Sequence, residues 1–241
     1  MGKLINLRHL DIKGTRLTEM PTQISRLKDL QHLTYFVVGK NGGSSISGLK
    51  ELCNLRGKLD ILGLENVVSG QDASEANMKD KKHLEGLVLK WSGEMEDSLK
   101  ERDVFDKLQP HAGLKTLSIF NYGSTKFPDW LQGVHSFRNM VSLELVDSAN
   151  CYSLRSIGQL PSLKHLGIEG MKAITIVGRE FYGDASSSKK PFQSLETLRF
   201  KLMEKWEEWH ALGAGEFSCL LELSLVDCPN LIGELSIRFP I

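Results

Sequence analysis

The sequence predicts an α/β solenoid, with a parallel sheet along its concave side and an irregular convex side carrying short helices. Three observations predict it. The phrase Leu-x-x-Leu-x-Leu, or an apolar equivalent, recurs along the 241 residues. Its copies stand 23 to 32 residues apart, and proline and glycine punctuate the intervals.

The first copy is Leu7, Leu10 and Ile12. The others are Leu30/Leu33/Tyr35, Leu84/Leu87/Leu89, Leu114/Leu117/Ile119, Met140/Leu143/Leu145, Leu163/Leu166/Ile168, Leu195/Leu198/Phe200 and Leu220/Leu223/Leu225, with a looser copy at Leu55/Leu59/Ile61 whose first gap is one residue longer. Leu-x-Leu has the strand period of two, so both leucines of a copy turn inward and the residue between them turns outward. A single such strand cannot bury its leucines alone. Stacked copies close them into one core, which makes each repeat depend on its neighbours. The expectation is a leucine-rich-repeat horseshoe of about nine repeats, one domain over residues 1–241.

Between the copies, Met20-Pro21, Phe127-Pro128, Leu160-Pro161 and Lys190-Pro191 mark returns. Two insertions read as helices on the convex side. One spans 72–84, opened by Asp72 and Glu75 at capping-box spacing; the other spans 94–108, with Met95, Leu99 and Leu108 as its apolar stripe. Segments 39–48 and 183–190, rich in glycine, serine and lysine, read as exposed loops.

Thirty basic and thirty acidic residues cancel, so no overall field draws nucleic acid or an anionic membrane. Locally, residues 1–60 hold ten Lys/Arg against five Asp/Glu and form a basic end. Cys53, Cys151, Cys219 and Cys228 lack metal-ligand spacing and read as reduced thiols. No signal peptide, transmembrane run or Asn-x-Ser/Thr acceptor occurs. The spacing of Ser, His, Asp and Glu offers no catalytic constellation, so the reading is not an enzyme.

The side chains flanking the inward leucines are the default binding residues of such a sheet. In the early copies they are His9, Asp11, Lys13, His32, Thr34, Phe36, Lys58, Asp60, Leu62, Val88 and Lys90. In the later ones they are Ser118, Phe120, Glu144, Val146, His165, Glu169, Arg199, Lys201, Glu222 and Val226. Phe36, Leu62, Val88, Phe120, Val146 and Val226 would set apolar surface among charges of both signs, as protein recognition uses. His9 and His32 should be neighbours across adjacent strands. Without a third ligand in their column they read as solvated histidines, not as a metal site. Trp206 and Trp209 read as packing of a return against the core, and Cys228 as filling the turn at the Asn/Cys position of its repeat.

Around the repeats stand longer phrases: Leu10-Asp-Ile-Lys-Gly-Thr-Arg-Leu17, Leu55-Arg-Gly-Lys-Leu-Asp-Ile61 with Leu64-Glu-Asn-Val67, Leu108-Gln-Pro-His111, Lys126-Phe-Pro-Asp-Trp-Leu131, Ile157-Gly-Gln-Leu-Pro-Ser-Leu163, Trp206-Glu-Glu-Trp209 and Asp227-Cys-Pro-Asn-Leu231. In this order they resemble the leucine-rich-repeat region of plant coiled-coil nucleotide-binding disease-resistance receptors. The resemblance covers nearly the whole chain. It implies an intracellular immune receptor, cytoplasmic, with the periphery of the plasma membrane and the nucleus as alternatives. In such a receptor this region senses a pathogen effector or a host protein that the effector modifies, and holds off the nucleotide-binding domain. It also implies that the chain is a fragment: no Gly-x-x-x-x-Gly-Lys-Ser/Thr occurs, so no cofactor is expected here, and ADP or ATP only in a nucleotide-binding domain preceding residue 1. The alternatives are a substrate-reading repeat of a ubiquitin ligase and an inactive receptor remnant. An extracellular ectodomain is disfavoured by the missing paired-cysteine caps and glycan acceptors.

Overall fold

In the computed structural model the chain forms two compact units, residues 1–117 and 118–241. Residues 3–40, 43–93, 97–132, 137–183, 190–210 and 215–232 are described. Met95, positions 41–42 and 184–189 of the two loops, and the terminal residues 239–241 lie outside them.

The first unit contains β1 (His9–Leu10), β2 (His32–Leu33), β3 (Tyr35–Val37), β4 (Gly57–Leu62), β5 (Leu84–Lys90) and the start of β6 (Thr116–Phe120), in which the division falls. β1 pairs with β2, and β3, β4 and β5 pair in that order, all parallel. The second unit holds β7 (Ser142–Val146), β8 (His165–Glu169), β9 (Ile176–Val177), β10 (Thr197–Lys201), β11 (Glu208–Trp209) and β12 (Glu222–Val226). There β7, β8, β10 and β12 pair in order, again parallel, and β9 pairs with β11 in a small return-side sheet.

All nine anchor leucines fall in strands. Leu33, Leu59, Leu87, Leu117, Leu143, Leu166 and Leu198 are at most 2% exposed, while Leu10 and Leu223, in the outermost strands, are half-buried. Between repeats, side chains satisfy backbone carbonyls one repeat away. Asn54 donates to Lys28 O (3.0 Å), Asn66 to Val38 O (3.0 Å), Asn150 to Gly123 O (2.9 Å) and Asn230 to Glu204 O (2.7 Å). Each such bond contributes on the order of 1 kcal/mol and links a turn to its neighbour.

Strand exits share one backbone device. Gly63, Asn121, Asp147, Gly170, Leu202 and Asp227 each follow a strand in the left-handed region, with φ between 53° and 76°. In the second unit Asn121, Asp147, Gly170 and Leu202 each donate their N–H to the last residue of the next strand, at 2.8 to 3.0 Å. Asparagine, aspartate and glycine tolerate that conformation; leucine does not. Leu202→Asn is therefore expected to stabilise the second unit by about 1 kcal/mol, read as a higher urea midpoint at unchanged slope.

Four local expectations are corrected, the first at segment 39–48, read as an exposed loop, where Gly39, Ser44 and Ile46 are buried because the Ile46 side chain joins the core and a one-turn helix starts there. Tyr35 was expected inward and Phe36 outward, but Phe36 is fully buried and Tyr35 half-exposed. The strand is interrupted at Thr34, whose hydroxyl accepts from Ile12 N and donates to Asp11. That one extra residue shifts the parity of everything after it. The first helix is α1 (Gly70–Ser74), capped by Ser69 accepting from Asp72 N, so Asp72 lies inside the first turn and the helix stops well short of residue 84. The second is α2 (Ser98–Lys107), capped by Asp97, whose buried face is Glu101, Val104, Phe105 and Leu108; Leu99 is 77% exposed. A third, α3 (Asp129–Gln132), follows Pro128.

Candidate functional site

The candidate site is the outer face of the parallel sheet, opposite the buried leucines. Parallel register turns its side chains into rungs, and each unit carries its own set.

In the first unit Tyr35, Asp60 and Val88 share a rung, and Val37, Leu62 and Lys90 share the next. His9, Asp11, Lys13, His32, Lys58 and Lys90 are exposed, and Thr34, Asp60 and Leu62 half-buried. Phe36 is withdrawn from the face by the slip at Thr34. Val88 keeps its place in the rung but is only 6% exposed, so it offers little surface. Tyr35 and Val37 take up the role that Phe36 was expected to fill. The signal for them was weak, because residues 35–38 are a continuous apolar run that fits either parity.

Asp60 is the chemically distinctive group of this face. Its removal from water raises its carboxyl above the usual aspartate range, partly offset by Lys58 and Lys13. Lys58 Nζ stands 3.8 Å from it. Asp11, in contrast, is held below the usual range by the Lys13 backbone N–H and the Thr34 hydroxyl. Gly86 keeps the rung beside it low: a β-carbon there would lie 2.7 Å from Thr116 Oγ1 and 3.2 Å from the Lys58 side chain.

In the second unit three rungs run across four strands: Ser142–His165–Thr197–Glu222, Glu144–Gly167–Arg199–Ser224 and Val146–Glu169–Lys201–Val226. Arg199, Glu222 and Val226 are exposed; Ser118, Phe120, Glu144, Val146, His165, Glu169 and Lys201 are half-buried. Most of the charges are matched. Lys201 meets Glu169 at 2.9 Å and Arg199 meets Glu144 at 3.5 Å, reaching across Gly167. Gly167 is what permits that reach, because a β-carbon would collide with the Glu144 carboxylate. His165 Nδ1 lies 3.0 Å from Thr197 Oγ1.

The return side is packed. Trp206 is fully buried, its ring 4.6 Å from that of Phe200 and 5.6 Å from that of Trp209. Trp209 Nε1 donates to Tyr182 Oη, and burial pushes that phenol well above the usual tyrosine range. Cys228 is half-buried beside its strand, its thiol raised by desolvation. All four cysteines are free thiols. Among the described residues no group of three or more His, Cys, Asp or Glu is placed to hold a metal ion, and no helix is long and apolar enough to cross a membrane.

Parallel strands exposing variable side chains in register over a leucine core define a leucine-rich-repeat protein, the class built around an extended face for contact with other proteins. The match to the R13L1/DRL21 leucine-rich-repeat family covers residues 46–171, and the chain belongs to that family. It is 42% identical over 216 residues to an Arabidopsis thaliana disease resistance protein, At3g14460, and 41% identical over 223 residues to RPP13-like protein 1 of the same plant. To the RGA4 disease resistance protein of Solanum bulbocastanum it is 33% identical over 229 residues. The alignments take in 85%, 86% and 93% of this chain but only 15%, 21% and 23% of those proteins, so the chain spans less than a quarter of their length. An internalin from Listeria monocytogenes aligns over 93% of this chain and 68% of its own, with a TM-score of 0.45 and 13% identity.

Proposed function

We propose that the chain is a noncatalytic recognition and autoregulatory module of an intracellular plant immune receptor. Its outer face senses a pathogen effector or an effector-modified host protein. The observation that carries the reading is the in-register face of both units, built from mixed apolar and charged side chains in a chain whose relatives are disease resistance proteins. Ordered rungs present a wide surface at little entropic cost on binding, because the strands beneath them are already fixed. The exposed basic residues of the early repeats, Lys3, Arg8, Lys13, Arg16, Arg26 and Lys28, are placed to dock the nucleotide-binding domain of the same receptor, the only part expected to take ADP or ATP. Such a receptor works in the cytoplasm, at the inner face of the plasma membrane or in the nucleus.

The test is a set of outer-face substitutions in a receptor carrying this region. Leu62→Glu and Arg199→Glu are expected to cut effector-dependent defence output at least tenfold while protein level holds, since a buried charge mismatch at an interface costs several kcal/mol. Return-side substitutions such as Leu99→Glu, at a largely exposed position, are expected to leave output unchanged. Output indifferent to both outer-face changes would refute the reading.

A further inference from the structure

Four lysines on or near the strands and their edges each meet an acid one repeat away, and one corner of the first unit holds two arginines that do not. Lys115 meets Glu85 at 2.7 Å, Lys164 meets Glu196 at 2.7 Å, Lys201 meets Glu169 at 2.9 Å and Lys28 meets Glu51 at 3.0 Å. In each case the acid sits one repeat away. Along the edge that leads into β1, β2 and β4, the backbone joins Arg8, Gln31 and Arg56: Gln31 N donates to Arg8 O (2.8 Å) and Arg56 N to Gln31 O (2.7 Å). Both arginines are exposed, and neither has an ion-pair partner among the described residues.

Beside them, His9 and His32 stand in register and stack, with ring centroids 4.6 Å apart and planes 10° from parallel. Gly57 comes next. A β-carbon there would lie 3.8 Å from His32 Nδ1, so the glycine leaves that side of the second imidazole uncovered. The charged groups around the pair are Arg8, Asp11 and Lys13 from the β1 segment and Arg56, Lys58 and Asp60 from the β4 segment; β2 contributes the uncharged Gln31 and Thr34. Both acids are engaged, Asp11 with Thr34 and the Lys13 amide, Asp60 with Lys58. The corner therefore sets four basic side chains, Arg8, Lys13, Arg56 and Lys58, against the two acids, and its two arginines are exposed without an ion pair among the described residues.

We propose that this corner binds a carboxylate-rich segment of a partner protein, with binding coupled to protonation of His9 and His32. The inference rests on the recognition reading above and names the chemistry of one part of its surface. Arg8 and Arg56 supply two fixed guanidinium forks for carboxylates. Imidazoles change charge between about pH 5 and 8. Two cationic rings in a stack repel, and an anion laid over them removes the repulsion, so proton uptake and carboxylate binding strengthen one another.

The test uses this chain and a fluorescein-labelled octaglutamate peptide, followed by anisotropy at about pH 7.5 and about pH 6, where glutamates remain ionised. Affinity is expected to rise about tenfold on acidification and to weaken with salt. His9→Gln with His32→Gln should keep the affinity seen near pH 7.5 and abolish the rise. Arg8→Gln with Arg56→Gln should weaken binding about tenfold or more at both pH values, whereas Arg102→Gln on α2 should change nothing. Circular dichroism and the urea midpoint establish that each variant is folded, and Arg8→Lys with Arg56→Lys, keeping charge but not the fork, should fall between wild type and the glutamine pair. No binding near pH 6, a rise that survives in the double histidine variant, or equal affinity for a single-stranded oligonucleotide would overturn the proposal. Those outcomes bear on this corner alone, because the receptor role is judged by Leu62 and Arg199.

Discussion

Trp206→Ala should lower the stability of the second unit by about 3–5 kcal/mol. Trp206 is fully buried against the rings of Phe200 and Trp209, which also touch each other, and its Nε1 donates to Glu208 O at 2.8 Å. The cluster continues through Tyr182, Phe181, Phe192 and Phe217 with ring centroids 4.8 to 6.2 Å apart. Truncation removes the indole's transfer energy and leaves a cavity that the surrounding rings, each packed against others at tilted, stacked or edge-on angles, cannot close. It also leaves Glu208 O without its donor beside the β9–β11 pair. Urea unfolding followed by circular dichroism measures the loss, and Trp206→Phe, which keeps most of the volume, should recover more than half of it. A loss below about 1 kcal/mol would show that the cluster contributes little.

The second large effect is at Lys81, a fully buried ammonium group. Its Nζ donates to Leu49 O at 2.7 Å and Leu52 O at 3.3 Å, one repeat earlier. Desolvation lowers its pKa from 10.5 to about 8, with Cys53 and Asp80 opposing the shift. Folding thus disfavours the proton. Below about pH 8 both states carry it and the cost is fully present; between about 8 and 10.5 the unfolded chain binds more protons than the folded one, so stability rises with pH; above 10.5 the cost is gone. The expected gain across that window is on the order of 3 kcal/mol. Lys81→Met removes the titrating group, so the difference between wild-type and variant stability should change with pH only within that window. A difference that stays constant from about pH 7 to 11 would show that the ammonium is not desolvated.

The anchors Leu10 to Leu223 were legible because burying a leucine in a strand requires period two, although the strands of Leu10 and Leu33 pair with each other in a sheet of their own. The candidate face followed from the same alternation. It failed at Phe36, where a single interruption at Thr34 exchanges inside for outside within an apolar run that carries no parity of its own. It was incomplete at Val88, whose neighbours cover it. Composition showed the early repeats to be basic, but not that Lys115 and Lys164 are matched by acids one repeat away while Arg8 and Arg56 have no such match among the described residues. Such a match depends on side chains about 30 residues apart in sequence. The start of α1 was misplaced because Ser69 and Asp72 are both good caps, and the hydrogen bond from Asp72 N to Ser69 decides between them.

By itself the sequence determined the repeat, its parallel sheet, the residues of the core and most of the outward face, because those follow from local periodicity and the free energy of burying leucine. Only the tertiary structure decided which outward charges neutralise one another, where the parity slips, that Lys81 is enclosed beside the carbonyls of the preceding repeat, and that two imidazoles stack beside two guanidiniums with no ion-pair partner among the described residues. These depend on distances between repeats. Such distances arise when successive turns settle into register, and no window along one turn contains them.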